Sequence, residues 1–283
     1  MTWQEDPVLR SYHGRRFWLN RCRECGFMQP EGLPNEPNFF ARLYSKDRGG
    51  DWMEADFTQP YKDRIFTTIL RRLALLLPAG RRTLLDVGTH VGRMPYLAAA
   101  AGWRAEGVEL NPAVAAFAAK RTGLPIRCMA AEELAAAGRR YDAVVFTDVL
   151  EHIPDPVRLL EKLRTLVAPG GWLAVKVPCG MNQLRKERVR RRLGQVGRAA
   201  VATNMVHVNH FTPAALRVAL GRAGFESVRM TVGCPELPPP RRSLKVFACR
   251  AVRLGVYLAA RLPGGLHTPL ALNLQAYARR PDA

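Results

Sequence analysis

What this sequence lacks narrows it first. No stretch of about eighteen apolar residues free of charge occurs, so a membrane-spanning helix is not expected. The opening residues, MTWQEDPVLR, carry acids early and no apolar core, unlike a secretory signal peptide, and the expected location is cytoplasmic. Cysteine is scarce: there are 6, and only Cys22 and Cys25 lie close together, which excludes a secreted disulfide framework. Acidic residues are few, 24 against 43 Lys and Arg, for a net charge of +19. That surplus suits a nucleic acid or an anionic substrate. It is equally what an Arg- and Ala-rich composition gives with no function attached. No basic block is interleaved with aromatics as in base-stacking modules. Internal repeats and low-complexity tracts are missing too. The remainder, 48% hydrophobic and 24% charged, is ordinary for a globular protein with a sizeable core.

Residues 1–59 read as an irregular N-terminal segment and 60–283 as the main domain. From Tyr61 a helical stripe of Ile65, Ile69, Leu73 and Leu76 runs to Pro78. Beyond it, apolar runs alternate with helical segments. TLLDVG, AEGVEL, PIRCM, YDAVVFTDV, WLAVKVP and FESVRMTV read as strands. MPYLAAAAG, PAVAAFAAKR, AEELAAAG, DPVRLLEKLRTLVAPGG and TPAALRVALGRAG read as helices. Pro112 and Pro213 suit first helical turns, and Thr212 suits an N-cap. Leu270, Leu272, Leu274 and Ala276 recur at period two and mark a final strand. This alternation predicts an α/β fold: a parallel sheet covered on both faces.

Ligands of such sheets bind beyond the carboxyl ends of the strands. The turn after TLLDVG holds Gly88 and Gly92 at a spacing that is not G-x-G-x-x-G, and no Gly-Lys-Ser/Thr follows. A pyrophosphate or triphosphate is therefore not expected there. Asp86 beside the turn would repel phosphate and attract an ammonium group. Glu109, closing the second strand, is placed to accept hydrogen bonds from the two hydroxyls of a ribose. A phosphate-free nucleoside with a cationic tail meets these demands, and S-adenosylmethionine (SAM) is one.

Five stretches in order, LLDVGTHVG, GVELNP, YDAVVFTDVLEHIPDP, LVAPGGWLAVKVP and NHFTPAALRVALGRAGF, resemble the class I SAM-dependent methyltransferases. The branch most alike holds quinone O-methyltransferases and sugar- and polysaccharide-cluster methyltransferases, and the likeness covers about residues 60–235. It implies a doubly wound, Rossmann-like seven-stranded sheet, mostly parallel with an antiparallel last strand. It implies SAM as cofactor and methyl transfer to a hydroxyl oxygen of a small-molecule or glycan/nucleotide-sugar-type acceptor. Asp86 would orient the methionine amino group through the loop, and Gly88 and Gly92 would bring backbone against the cofactor. Glu109 would hold the ribose and Leu110 would lie along the adenine. The backbone of Ala131 and Glu132 would read the ring edge. Thr147 and Asp148 would border the methionine and the sulfonium. Two departures stand out. Met129-Ala130-Ala131-Glu132 replaces the usual Gly-Asp-Ala-Glu, so the acid facing the adenine amine is missing at Ala130. His90 replaces a commoner glycine, its side chain expected toward solvent or the adjoining helix.

For the acceptor side, His152 in LEHIPDP is either a general base near working pH or a structural histidine bonded to backbone. His210 in MVHVNHFT either contacts substrate or caps its turn. With His207 it suggests a metal pair, but no third ligand is evident in the sequence, so a metal is not expected there. A nucleic-acid (RNA) methyltransferase is the rival reading that would explain the charge, but nucleic acid is not the expected partner, because FTDVLEH lacks the Asn/Asp-Pro-Pro-aromatic box of amino-directed enzymes and no added RNA-binding module is visible. A non-catalytic binding protein on the same fold stays open. In this fold 180–206 often forms a lid. Here Arg185, Lys186, Arg188, Arg190, Arg191 and Arg192 crowd it, suiting an anionic acceptor or simply a solvated face. An insertion at 233–269 carries an apolar stripe, Leu244, Phe247, Ala251, Leu254, Leu258 and Leu262. That stripe either packs on the domain or makes peripheral membrane contact through 244–262. Cys22 and Cys25 resemble the second knuckle of an N-terminal zinc ribbon found in this branch. Residues 1–21 offer no first pair, so zinc is not expected.

Overall fold

The computed structural model describes residues 18–32, 52–59, 61–192, 207–240 and 242–282. In chain order the main elements are β1 (Leu19–Arg21), β2 (Met28–Pro30), α1 (Trp52–Thr58), α2 (Asp63–Leu76), β3 (Thr83–Val87), α3 (Arg93–Ala100), β4 (Arg104–Glu109) and α4 (Pro112–Thr122). There follow β5 (Ile126–Cys128), α5 (Ala131–Ala136), β6 (Tyr141–Thr147), α6 (Pro156–Leu163), β7 (Val167–Pro178), α7 (Gly180–Arg192), α8 (Pro213–Arg222), β8 (Glu226–Val232), α9 (Leu244–Ala260) and β9 (Asn273–Arg279).

Seven strands form one sheet in the order β5-β4-β3-β6-β7-β9-β8. β9 runs antiparallel to both neighbours, and the other pairs are parallel. This is the doubly wound sheet expected, with its one reversed strand. The order reverses between β3 and β6, so the carboxyl ends of β3, β4 and β6 share a crevice. One face is packed by α2, α3 and α9 through Ile69, Leu73, Met94, Ala98, Tyr257 and Ala260. α5, α6 and α8 cover the other through Leu134, Leu160, Leu163, Leu216 and Leu220.

Local chemistry sets the helix starts that aim the crevice loops. Asn111 accepts hydrogen bonds from the Ala113 and Val114 N–H groups, Pro112 fills the first turn, and Gly123 ends α4 at φ 69°. Asp155 caps α6 through the Arg158 N–H. Thr212 caps α8 through the Ala215 N–H and donates its hydroxyl to the Cys25 carbonyl at 2.5 Å.

Three segments differ from the sequence reading. The helix expected through DPVRLLEKLRTLVAPGG stops at Leu163, and after one 3-10 turn the chain enters β7 at Val167. Pro169 donates nothing to a ladder and Gly170 stands at φ 67°, so the entry is a bulge: Val167 pairs with Tyr141, then Trp172 with Ala143. The N-terminal segment, expected to be irregular, contains the β1–β2 hairpin and α1. Finally, the apolar stripe of α9 turns away from the domain: Tyr257 and Ala260 are its buried residues, while Leu244, Phe247 and Leu258 are exposed. Of the expected lid, α7 is formed; 193–206 lies outside the described residues, as do the side chains of Lys186, Arg188, Arg190 and Arg191.

Candidate active site

The turn after β3 is shaped by backbone. Gly88 stands at φ 71°, and a Cβ there would come within 2.8 Å of Val149 Cγ2, so glycine is required twice over. Gly92, at φ 78°, would bring a Cβ within 3.1 Å of Ala118. His90 also adopts a left-handed conformation, φ 52°. That explains why glycine is common at this position, and the imidazole lies 5.4 Å from the Trp52 ring on α1. The same conformation points the His90 N–H at Glu109, which accepts it at 2.9 Å, while its other oxygen accepts the Asn111 N–H at 3.0 Å. Each carboxylate oxygen takes one backbone bond and keeps a lone pair for a hydroxyl.

Asp86 is buried, 3% exposed, one residue before the end of β3. Burial pushes its carboxyl up to about 7 against the pull of the Thr89 hydroxyl, with the Glu109 charge adding to the rise. The Lys62 charge opposes the rise only in part. Leu110 stands 67% exposed past β4, a free apolar surface for a flat ring. Ala131 and Glu132 open α5, with the Glu133 carboxylate accepting the Ala130 N–H at 2.9 Å.

The turn after β6 carries different chemistry. Asp148 sits at φ 57° and is gripped by two lysines: Lys62 at 2.8 Å, and Lys176 in direct ion pair. Burial works against its charge, but Lys176 and Lys62 outweigh it and hold the carboxyl far below the usual range. Burial likewise opposes the charge on Lys62, and Asp148 with Glu236, 3.7 Å away, raises its pKa nonetheless. The carboxylate of Asp148 is thus committed to lysines rather than open to the crevice. Thr147 Oγ1 is buried with no hydrogen-bond partner among the described residues.

His152 is buried on the following 3-10 turn, its ring 4.8 Å from His207 in an edge-on arrangement and its Nε2 3.9 Å from Glu151. Burial, and then the neighbouring His152 and His210, hold the His207 imidazole down at about 3, so it is neutral. Burial drives the Glu151 carboxyl well above its usual range, with Asp148 adding to the effect, and neither of its oxygens has a hydrogen-bond partner among the described residues. Glu151, His152 and His207 each offer an atom within 4.8 Å of the others, the kind of set in which a divalent cation finds ligands. His207 thus meets His152 and Glu151, a grouping that the His207–His210 spacing does not reveal. His210 acts through its backbone, exchanging hydrogen bonds with Met28 and seating the hairpin on the domain.

Sequence reasoning missed the clamps of this turn. Asn209 donates to the Leu150 and Ile153 carbonyls at 2.7 and 2.5 Å, and Gln29 of β2 donates to Asn209 and to the Pro154 carbonyl. Lys62 and Lys176 were missed as well. A lysine inside the apolar strand WLAVKVP was a legible warning. Cys22 and Cys25 stand at the tip of the β1–β2 hairpin, where the backbone N–H groups of Cys25 and Glu24 draw the Cys22 thiol down and burial draws Cys25 up. Among the described residues no third ligating group joins them.

Fold and site together define a doubly wound α/β protein with a glycine turn and two carboxyl groups, Asp86 and Glu109, at the carboxyl ends of β3 and β4. A methyltransferase-domain family model matches residues 61–229, and the chain belongs to that family, the class I SAM-dependent methyltransferases. Ubiquinone biosynthesis O-methyltransferases are similar. That of Chromobacterium violaceum is 39% identical over 101 residues, 34% of this chain and 43% of the relative. That of Cereibacter sphaeroides is 39% identical over 108 residues, 36% and 44%. The match thus spans less than half the length of these curated relatives. Among solved structures, a plantazolicin methyltransferase with bound S-adenosylhomocysteine shares the fold (TM-score 0.56, 12% identity, 86% of this chain and 94% of that one). So does a SAM-dependent methyltransferase of Thermotoga maritima (0.52, 18%, 85% and 99%).

Proposed function

We propose that this protein transfers the sulfonium methyl of SAM to a hydroxyl oxygen of a small aromatic acceptor of the quinone-precursor kind. The observation that carries the reading is the juxtaposition of the glycine turn after β3 with a cluster of Glu151 and His152, on the turn after β6, and the half-buried His207 from the segment before α8. SAM, when bound, supplies an electrophilic methyl on a positively charged sulfur. The chain's own residues do the rest. Asp86 attracts the ammonium, Glu109 takes the ribose hydroxyls, and Leu110 covers a face of the adenine. The acceptor oxygen forms a bond to the methyl carbon as the carbon–sulfur bond breaks. The hydroxyl proton passes to His152, flanked by a neutral His207 and by Glu151, whose carboxyl burial drives upward. Support for an aromatic acceptor comes from the ubiquinone O-methyltransferase relatives.

A second reading, a glycan or nucleotide-sugar acceptor, has one observation in its favour: the basic helix α7, where Arg185 and Arg192 are exposed beyond the crevice. Calorimetry with SAM, followed by methyl transfer to matched panels of catechol-type phenols and nucleotide sugars, tests both. The expected result is SAM binding and turnover on the phenols. Turnover confined to nucleotide sugars would replace the first reading with the second, and no SAM binding at millimolar ligand would end both.

A further inference from the structure

Most of the highly exposed large apolar side chains among the described residues gather on one helix and its exit, with Leu75 and Leu110 the exceptions. On α9, Leu244, Phe247, Val252 and Leu258 are 84%, 68%, 65% and 60% exposed, and Leu262 just beyond is 65% exposed. Leu244, Ala248, Ala251, Gly255, Leu258 and Leu262 recur at three- and four-residue steps and form one stripe, with Phe247 on one flank and Val252 on the other. A monomeric protein rarely leaves such a stripe in water. The charge around it has one sign. From 237 to 281 the chain has 8 Lys and Arg and no Asp or Glu. Lys245 flanks the stripe, and Arg253 and Arg261 are exposed behind it.

We infer that α9 is a docking helix for an anionic lipid surface, its leucines and Phe247 entering the interface and its basic residues meeting lipid phosphates. A second copy of the chain fits less well, because two such faces brought together would oppose their like-charged flanks. The helix also has a defined relation to the active site. Arg253 donates to the Glu236 carbonyl at 2.7 Å, and Arg250 bonds the Pro238 carbonyl. That short segment is tied in turn to the site, since the Leu237 N–H bonds the Tyr61 carbonyl and the Glu236 carboxylate faces Lys62, the partner of Asp148. A docked α9 would therefore hold the site near the bilayer surface, where an acceptor with a long apolar tail resides. This last consequence rests on the quinone-type acceptor proposed above.

The test is flotation of the full chain with vesicles of phosphatidylcholine alone and with about one-third phosphatidylglycerol. Binding is expected with the anionic vesicles only, weakening as salt rises. The double variant Phe247→Ser/Leu258→Ser keeps every charge and is expected to bind about tenfold or more weakly, because the inserted apolar surface is lost. SAM calorimetry on the same samples shows that the variant is folded. It also separates the two claims: SAM binding without vesicle binding overturns the docking surface and leaves the methyltransferase reading standing, and the reverse does the opposite. If the double variant floats like the parent, the attraction is general charge and α9 is not the docking element. If the parent sediments as a dimer that the double variant breaks, while neither floats, the stripe belongs to a second copy.

Discussion

The two halves of the crevice are built in opposite ways. The cofactor half, from Asp86 to Asn111, is a short continuous piece of chain whose shape is backbone: two glycines and a histidine at positive φ, and a glutamate tied to two N–H groups. The acceptor half is assembled from Gln29, Lys62, Asp148, Glu151, His152, Lys176, His207, Asn209 and Glu236, and its shape is side chains, with Glu151, His152, Lys176 and Asn209 buried at its centre. One half offers a fixed cradle with a single displaced carboxyl. The other balances buried charges against each other. Substitutions in the first half should therefore act chiefly on cofactor affinity, and substitutions in the second should alter turnover or stability with affinity unchanged.

The largest effect expected is at His152. His152→Ala should lower kcat on the order of 10²- to 10³-fold, the range of a lost general base, while calorimetric SAM affinity stays at the parent value. An equal fall in SAM affinity would mean that the histidine supports the crevice rather than the chemistry. Next is Lys176→Met, which leaves Asp148 buried with Lys62 as its remaining cation. Removing one partner of a buried pair costs about 3–5 kcal/mol, and with Lys62 in place the lower end is expected, read as a reduced urea midpoint. An unchanged midpoint would show that the ion triad adds nothing to the fold.

A smaller, pH-dependent effect belongs to Asp86. Its carboxyl is raised to about 7, so the ionised form that attracts an ammonium is lost as pH falls through that value. SAM affinity should drop by up to about tenfold per unit below pH 7, and Asp86→Asn should bind on the order of tenfold more weakly with no such slope. The sign for stability is the reverse. A raised carboxylate pKa means that the folded protein holds the proton longer than the unfolded chain, so the ligand-free protein loses stability as pH rises from the ordinary carboxylate range toward 7. A flat affinity profile in the parent would remove Asp86 from the cofactor contact.

The same contrast explains what could be read from the sequence. Asp86, Gly88, Glu109 and Leu110 lie within one strand–turn–helix–strand unit, and the spacing of that unit is its geometry. The doubly wound, mostly parallel sheet and its reversed last strand followed from alternation and family likeness. The acceptor half did not follow, because Lys62, Lys176 and His207 reach Asp148 and His152 from separate elements, and no spacing in the chain records that meeting. Asn209 reads as an ordinary loop residue, yet its amide holds the His152 turn from 56 residues away. The α9 stripe was legible as an amphipathic pattern. Periodicity names a face but not the side on which the domain sits, and only the buried Tyr257 and Ala260 decide that.

The smallest effect expected is at Leu110, and it tests whether the cofactor half is backbone alone. Its side chain is 67% exposed, so truncation removes little from the folded core, and Leu110→Ala should leave the thermal midpoint within about a degree of the parent. The expected loss is apolar cover for one face of a bound adenine, about half of a leucine's burial: about 1 kcal/mol, or roughly fivefold in SAM affinity. If position 130 faces the adenine amine, Ala130 offers it no acid, and stacking on Leu110 is expected to carry a larger share of adenine recognition. Asp at position 130 should therefore offset the loss: the double variant Leu110→Ala/Ala130→Asp is expected to recover SAM affinity toward the parent. If Leu110→Ala binds SAM as tightly as the parent, the adenine lies off this leucine and the cradle ends at Glu109.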